Sequence, residues 1–575
     1  MQEKLKKFWP KGMPYSIDYP VVPVGEIIKG SANRFGDHTA IIYQGVEYSY
    51  RYFYKEALKF ANALHLNGIG KGDVVSIHMP NCPQYVVAYY GIMLSGATFS
   101  PVNPLLPPKD LAYQLNDCSA KAVVTWKQFS ESIAKVINET NLHLVLVTDD
   151  NELNDNKSVE ITNRDESWQS FMLFKDKGEE RELQIEFNPK EDLAHLAYTG
   201  GTTGPSKGVM IPHFNVVANT LQFTVWGNGH LPKVTADGLV LEPIDESLTG
   251  GVDEYLTLLG DDRLIQLAPW FHAMGTIGYL SKPFLSGTTL ILHQRFDPGL
   301  YLKEAEKYRV TQIGGAPSMF VALTRHPDFE RRDLSSVKKL TSGSAPLHME
   351  LIRILQKRFP DAIVTESYGL TEVTMGVTSN PSFKSGIRKV GTVGIPVFDT
   401  EIKIVNPEGS DEPLQPGEEG EICCRGPQIM KGYLNKPEET AAVLKDGWLR
   451  TGDIGVIDED GYLAIVDRKK DMLIYKGYNV FPRELEEHMF KHPAVANVSV
   501  IGKPDYEAGE IPKAFVVLKD GSAATEQELM DFVNEQVIFY KKIREVEFLD
   551  ELPLSGAGKV LKRELRKREE QPSVK

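Results

Sequence analysis

The stretch Tyr198-Thr-Gly-Gly-Thr-Thr-Gly-Pro-Ser-Lys-Gly208 decides how this chain is read. An apolar strand-like run, Leu193–Tyr198, leads into it, and a helical run, Phe214–Trp226, follows it. Gly200, Gly201, Gly204 and Gly208 allow backbone N–H groups to approach an anion closely. Thr199, Thr202, Thr203 and Ser206 add hydroxyl donors, and Lys207 adds a positive charge. The composition suits a polyphosphate. The spelling is not that of a Walker A loop, which needs Gly-Lys-Ser/Thr in order. Here Ser206 precedes Lys207 and Gly208 follows it, which argues against a P-loop kinase or ATPase.

Outward from this loop, short apolar runs alternate with helical patterns. Strands are expected at Ala40–Tyr43, Val74–His78, Ala122–Trp126, Leu142–Val147, Leu193–Tyr198, Thr289–His293 and Lys338–Thr341. Helices are expected at Arg51–Asn67, Pro83–Ser95, Pro298–Tyr308 and Leu347–Arg358. The alternation predicts an α/β fold with parallel sheets covered by helices. After about Gly386 the turn signals multiply (NPEGSDEPLQPGEEG, then DEDGY), so 387–466 reads as a β-rich subdomain. Beyond Asp467 a compact α+β unit is expected, with strands Asn497–Gly502, Ala514–Leu518 and Glu545–Leu549 and a helix Glu526–Gln536. The expected division is 1–466 and 467–575. Between Gly227 and Asp262, eight acidic residues and one lysine suggest a solvated loop or lid.

The whole-chain numbers set limits. At 575 residues the chain exceeds one simple core, since a domain takes ~100–200 residues. Hydrophobic residues at 42% and charged residues at 25% exclude a chain disordered throughout. The net charge of -14 gives no global basic field for nucleic acid. Cys82, Cys118, Cys423 and Cys424 form no C-x-x-C pair, and so few cysteines fit a reducing, cytoplasmic setting. Adjacent Cys423 and Cys424 read as packing. The longest apolar window, Tyr85–Val102, reads as a helix running into a strand rather than a membrane span. Contact of the basic C-terminal helix with an anionic membrane surface, and a homodimer, both stay open.

The eleven-residue string resembles the phosphate-loop signature of the adenylate-forming superfamily, and the resemblance continues in order along nearly the whole chain. Glu366-Ser-Tyr-Gly-Leu-Thr-Glu372 is similar to the family's adenine and magnesium motif. The segments Gly420–Thr440, Gly447–Asp453, Asp467–Asn479 and Leu552–Lys559 are similar to its later blocks. The resemblance is closest to acyl-CoA synthetases, and implies a large N-terminal adenylation domain and a small mobile C-terminal domain that turns about Asp467.

It also implies the site. The nucleotide falls to Thr199, Gly200, Gly201, Thr202, Thr203, Gly204 and Lys207, with Gly343, Ser344 and Ala345 lining adenine and acyl group. Tyr368 and Gly369 lie beside adenine, Thr371 at the α-phosphate, and Asp453 with Arg468 at the ribose. Glu372 and Thr199 are the expected Mg²⁺ ligands, since Mg²⁺ favours a carboxylate plus phosphates and water. Lys559 bridges the carboxylate and the α-phosphate, and His272 lines the acyl entrance. Lys476 and Gly477 flank the coenzyme A passage in the second step. Gly275, Thr276 and Gly278 stand where long-chain members often carry an aromatic gate. ATP, Mg²⁺ and coenzyme A are the implied cofactors, and a medium- or long-chain fatty acid the expected substrate. An aryl or alicyclic acid, a carrier-protein acceptor and a non-catalytic acyl or nucleotide sensor are the competing readings.

Overall fold

The computed structural model describes residues 5–10, 12–154, 158–161, 165–199, 206–244, 254–343, 347, 349–476, 478–554 and 560–570. Leu193–Thr199 and Lys207–Pro212 form an antiparallel hairpin, with Thr199 opposite Lys207 at its open end. A strand therefore separates the phosphate-type loop from the helix that follows, His213–Asn228.

From Leu193–Thr199 the sheet continues in parallel through Thr98–Pro101, Val74–His78, Ala120–Trp126, Leu144–Thr148 and Trp168–Ser170. On the hairpin side, Gly432–Tyr433 pairs antiparallel with Lys207–Pro212 and completes eight strands. A second sheet of nine strands has a parallel centre. Its order runs from Ile363–Tyr368 through Lys339–Ser342, Gln312–Gly315, Arg263–Gln266 and Thr289–Leu292 to Thr39–Tyr43. Such strands are covered on both faces, which explains their unbroken apolar runs; Leu144–Thr148 is buried at every position.

Two helices fill the interior almost completely. Pro83–Ser95 is buried except at Leu94, and His213–Asn228 except at Phe214. A helix that is apolar all round must be enclosed. Gly91 permits the crossing with Tyr50–Leu66, because a Cβ there would lie 2.6 Å from the Phe60 ring.

The acidic region after Gly227 is not simply a solvated excursion. His230–Thr235 and Gly238–Pro243 form a hairpin whose Leu239 and Leu241 are buried, packed along the helix Gly25–Phe35. Residues 245–253 lie outside the described residues.

Where a β-rich subdomain was expected, an antiparallel sheet forms from Glu401–Val405, Gly420–Arg425, Leu444–Lys445, Trp448–Ile457 and Leu463–Arg468. Cys423 and Cys424 are free thiols, both buried, and burial pushes Cys423 up to about 11. Both faces of this strand are covered, in keeping with packing rather than chemistry.

The C-terminal part has its own sheet: Tyr478–Val480, Leu473–Tyr475, Gly509–Leu518, Val495–Asp505 and Glu545–Phe548. Leu473, Leu485, Val500, Val516 and Leu529 belong to a core separate from the large one that runs from Leu5 to Leu463. The basic C-terminal helix spans Lys562–Glu570. Its cations are paired: Lys562 with Glu486 at 2.9 Å, Arg566 with Asp471 at 2.8 Å and Arg568 with Glu547 at 3.0 Å.

Candidate active site

Among the described residues, Tyr368 and Gly343 of the expected site stand at the carboxyl ends of parallel strands, where open α/β sheets hold ligands. Tyr368 ends one strand, Gly343 follows Ser342 at the end of the next, and Gly314-Gly315 end a third. His272 lies in the turn after Arg263–Gln266. Gly200, Gly201, Thr202, Thr203, Gly204, Ser344, Ala345, Gly477 and Lys559 lie outside the described residues. Thr199 and Lys207 are placed as the two gateposts of the loop.

Glu372 sits in the single turn Thr371–Val373 and is fastened twice. Its carbonyl accepts from Met430 N–H at 2.9 Å, and its Oε1 accepts from the Tyr433 hydroxyl at 2.9 Å. Lys207 Nζ lies 4.7 Å from the centre of the same Tyr433 ring. Tyr433 thus joins the loop lysine to the carboxylate. Thr374 ends the turn at φ 68°, a left-handed conformation costly for a β-branched residue. Its hydroxyl donates to Gln428 carbonyl at 2.7 Å, which holds the strained turn. Glu372 and Thr199 offer few protein oxygens, and no group of three or more His, Cys, Asp or Glu ligands exists among the described residues. That donor set fits Mg²⁺, which takes most ligands from phosphate and water.

Asp453 is held from two sides. The Tyr368 hydroxyl donates to Oδ2 at 2.6 Å, and Arg468 Nε lies 3.1 Å from Oδ1. Burial and then Asp453 push the Tyr368 phenol well above its ordinary range. Asp453 in turn holds the Arg468 guanidinium above its own. The pairing follows from register, since Asp453 faces Arg468 across adjacent antiparallel strands. Beside it, Glu421 accepts from Gly452 N–H at 3.2 Å and from Arg450, fixing the turn before Asp453. A cleft of ≈ 220 Å³ opens here between Leu370, Glu372, Tyr433, Thr451, Gly452 and Lys469.

The structure adds contacts that the sequence did not show. Tyr368 was expected only as a ring for adenine; its hydroxyl also tethers Asp453. Gly369, expected at the nucleotide, is also required by packing, because a Cβ there would collide with the Met375 carbonyl. Tyr433 and Lys470 went unassigned in the sequence. Burial and Arg468 push Lys470 below its ordinary range, while Asp471, Asp453 and Glu372 oppose that shift. No local pattern marks either residue, because each acts on groups distant in the chain.

His272 Nδ1 accepts from Met274 N–H at 3.3 Å, and its carbonyl accepts from Thr276 N–H at 2.9 Å. The glycine walls beyond it are covered. Tyr279 packs on Gly314, and Met319 on Gly315. Met274 Sδ would lie 3.1 Å from a Cβ on Gly343, and Met375 Sδ 3.0 Å from one on Gly278.

At the hinge segment, Asp467 is 7 % exposed. Its Oδ1 accepts from Arg468 N–H at 2.7 Å and Oδ2 from Arg483 N–H at 3.0 Å. Burial pushes its carboxyl up, and nearby Lys562 opposes this. Lys476 is exposed at φ 49°, in the turn between Leu473–Tyr475 and Tyr478–Val480.

A crevice at parallel strand ends, with the hairpin end of Thr199 and Lys207 on one side and the held carboxylates Glu372 and Asp453 on the other, fits the adenylate-forming class of enzyme. The chain belongs to the AMP-binding enzyme family: residues 28–434 match that family and 484–559 match its C-terminal domain. It is 36% identical over 574 residues to a long-chain-fatty-acid–CoA ligase of Bacillus subtilis (strain 168), covering 97% of this chain and 96% of that one. The anthranilate CoA ligase AuaEII in complex with anthranoyl-AMP superposes with a TM-score of 0.81 at 26% identity, covering 97% and 98%. ATP-bound MatB from Rhodopseudomonas palustris gives 0.80 at 28% identity, covering 95% and 98%.

Proposed function

We propose that the protein is an ATP-dependent carboxylate–CoA ligase acting on a medium- or long-chain fatty acid through an acyl-adenylate. The observation that carries this reading is the convergence of Lys207, Tyr433 and Glu372 with Tyr368, Asp453 and Arg468 at one set of strand ends. The near full-length likeness to a long-chain-fatty-acid–CoA ligase supports the substrate class. The likeness to an anthranilate CoA ligase, with Tyr279 and methionines filling the glycine-walled pocket, keeps an aryl acid as the second reading.

In the first step a carboxylate oxygen attacks the α-phosphorus of ATP. The bond to the β-phosphate oxygen breaks and pyrophosphate leaves. No general base is needed, since the acid is ionised at neutral pH. The work is alignment and charge neutralisation. Thr199, Gly200, Gly201, Thr202, Thr203, Gly204 and Lys207 hold the phosphates. Glu372 and Thr199 would hold Mg²⁺, which when bound neutralises phosphate charge. Tyr368 and Gly369 border adenine, with Gly343, Ser344 and Ala345 across from them. Asp453, paired with Arg468, accepts the ribose hydroxyls. Thr371 and Lys559 face the α-phosphate, and His272 positions the acid.

In the second step the thiol of coenzyme A attacks the acyl carbonyl, the bond to phosphate oxygen breaks and AMP leaves. The small C-terminal unit turns about Asp467, withdrawing Lys559 and presenting Lys476 and Gly477. No helix among the described residues is long and apolar enough to cross a membrane. The test assays each half-reaction separately. Coenzyme A alone must complete the thioester, and Asp467→Pro must slow one half-reaction more than the other. A requirement for a phosphopantetheinylated carrier protein contradicts the acceptor, and wild-type rates for both steps in the variant contradict the hinge.

A further inference from the structure

Two lysines take no part in the chemistry above. Lys339 opens the strand Lys339–Ser342 and is 4 % exposed. Lys282 opens the helix Lys282–Ser286 and is partly buried. Neither ammonium has a hydrogen bond or ion pair among the described residues. Burial pushes both below their ordinary range, and Asp262 opposes this in each. The Asp262 oxygens are already engaged: Oδ1 by the Thr311 hydroxyl at 2.7 Å, Oδ2 by Gln312 Nε2 at 2.8 Å and Leu258 N–H at 3.0 Å. Among the described residues, two cations against one carboxylate leave positive charge uncompensated, a costly arrangement without a ligand.

The lysines point at one place. A carbon built as Cβ on Gly227 would lie 3.6 Å from Lys339 Nζ, 3.8 Å from Thr257 Oγ1 and 3.9 Å from Lys282 Nζ. Thr257 is 3 % exposed, and among the described residues its hydroxyl has no partner and neither has the amide nitrogen of neighbouring Asn228. A small group placed where Gly227 lacks a side chain therefore meets two ammoniums and an unused hydroxyl.

Two walls connect this place to the active site. The strand from Lys339 reaches Gly343, ~13 Å away at ~3.3 Å per residue. The π-helical stretch Met274–Ser281 runs from beside Gly343, where Met274 packs, to Lys282. Met274 packs on Gly343 at one end, and both lysines meet Gly227 at the other. The helix His213–Asn228 forms a third wall, ending at Gly227 and Asn228. Methionines and Tyr279 occupy the space between, and unbranched methionines can swing aside for a chain.

We propose that Lys339, Lys282 and Thr257 form an internal anion site at the far end of the acyl pocket, and that it selects an acid bearing a second carboxylate at its distal end. The inference rests on the ligase reading above and narrows its substrate. The wall length sets the size: C–C bonds of ~1.5 Å in an extended zigzag span it with about ten carbons.

The test compares decanedioate with decanoate on the full chain, by pyrophosphate release and by melting temperature with each acid. Wild type is expected to favour decanedioate by about tenfold or more in kcat/KM, as charge-assisted bonds to the distal group warrant. Lys339→Met, Lys282→Met and Gly227→Ala, which puts a methyl in the anion's place, are each expected to bring the ratio towards one. Both lysine variants should also raise the melting temperature of the free protein, because each removes an unpaired buried charge. A ratio untouched by all three variants overturns the proposal. So does a lowered melting temperature with no change in ratio, which marks the lysines as structural. Turnover of decanoate without preference for the diacid refutes this site alone. No pyrophosphate from any acid refutes the ligase reading. In that case a decanedioate-specific rise in melting temperature, lost in Lys339→Met, upholds the anion site, and its absence overturns it.

Discussion

Tyr368 shows what a single residue contributes beyond its type. Its ring suits adenine, yet its hydroxyl donates to Asp453 at 2.6 Å, and the same carboxylate meets Arg468 at 3.1 Å. Tyr368→Phe keeps the ring and removes the tether. A hydrogen bond to a charged group contributes ~1.5–3 kcal/mol, so kcat/KM for ATP should fall about tenfold or more. Initial rates of pyrophosphate release at varied ATP check this; an unchanged value means the hydroxyl does not position Asp453. The sequence blocks located Tyr368, Glu372 and Asp453, but not which atom meets which. Tyr368 and Asp453 are 85 positions apart, and Glu372 and Tyr433 are 61 apart. Such pairings depend on sheet register and turn geometry, which no local spacing encodes. Lys282 and Lys339 were equally silent, because burial of a lysine has no sequence signature of its own.

At the scale of elements, the apolar runs were dependable. The strand expected at Val74–His78 and the helix at Pro83–Ser95 form over those residues, and Leu193–Tyr198 gains only Thr199. Their composition matches enclosure on both faces. The acidic segment misled because charge outweighed pattern: in Gly238–Pro243, Leu239 and Leu241 alternate inward against the helix Gly25–Phe35 while Glu242 stays exposed. The Gly369 crossing was also hidden, since its need comes from the Met375 carbonyl of the returning chain. Gly369→Ala must displace that backbone, and overpacking of this kind costs about 3 kcal/mol. Urea unfolding measures it. Wild-type stability in the variant contradicts the close crossing.

At the scale of the molecule, two parallel-centred sheets with enclosed helices carry the nucleotide end, and a separately cored C-terminal part meets them at Asp467. The α/β class and the C-terminal α+β pattern were legible in the alternation of runs. The sheet order was not, because it depends on crossovers. The interior also sets an acid limit. Burial pushes His78 and His213 each down to about 4, so both are held neutral. An unfolded histidine titrates near ~6.5 and takes up its proton first, so the stability is complete above that value and is lost as pH falls towards about 4. Each histidine accounts for about 3 kcal/mol by the lower limit. Melting temperature should therefore drop across that window; a flat profile contradicts the neutral, buried assignment. The most direct test of the central claim is pyrophosphate release with ATP, Mg²⁺ and CoA across carboxylates from acetate to palmitate plus benzoate, with Lys559→Ala beside wild type. The account predicts a clear optimum at a medium or long aliphatic chain that disappears in the variant. Silence across the panel, or an optimum that survives Lys559→Ala, contradicts it.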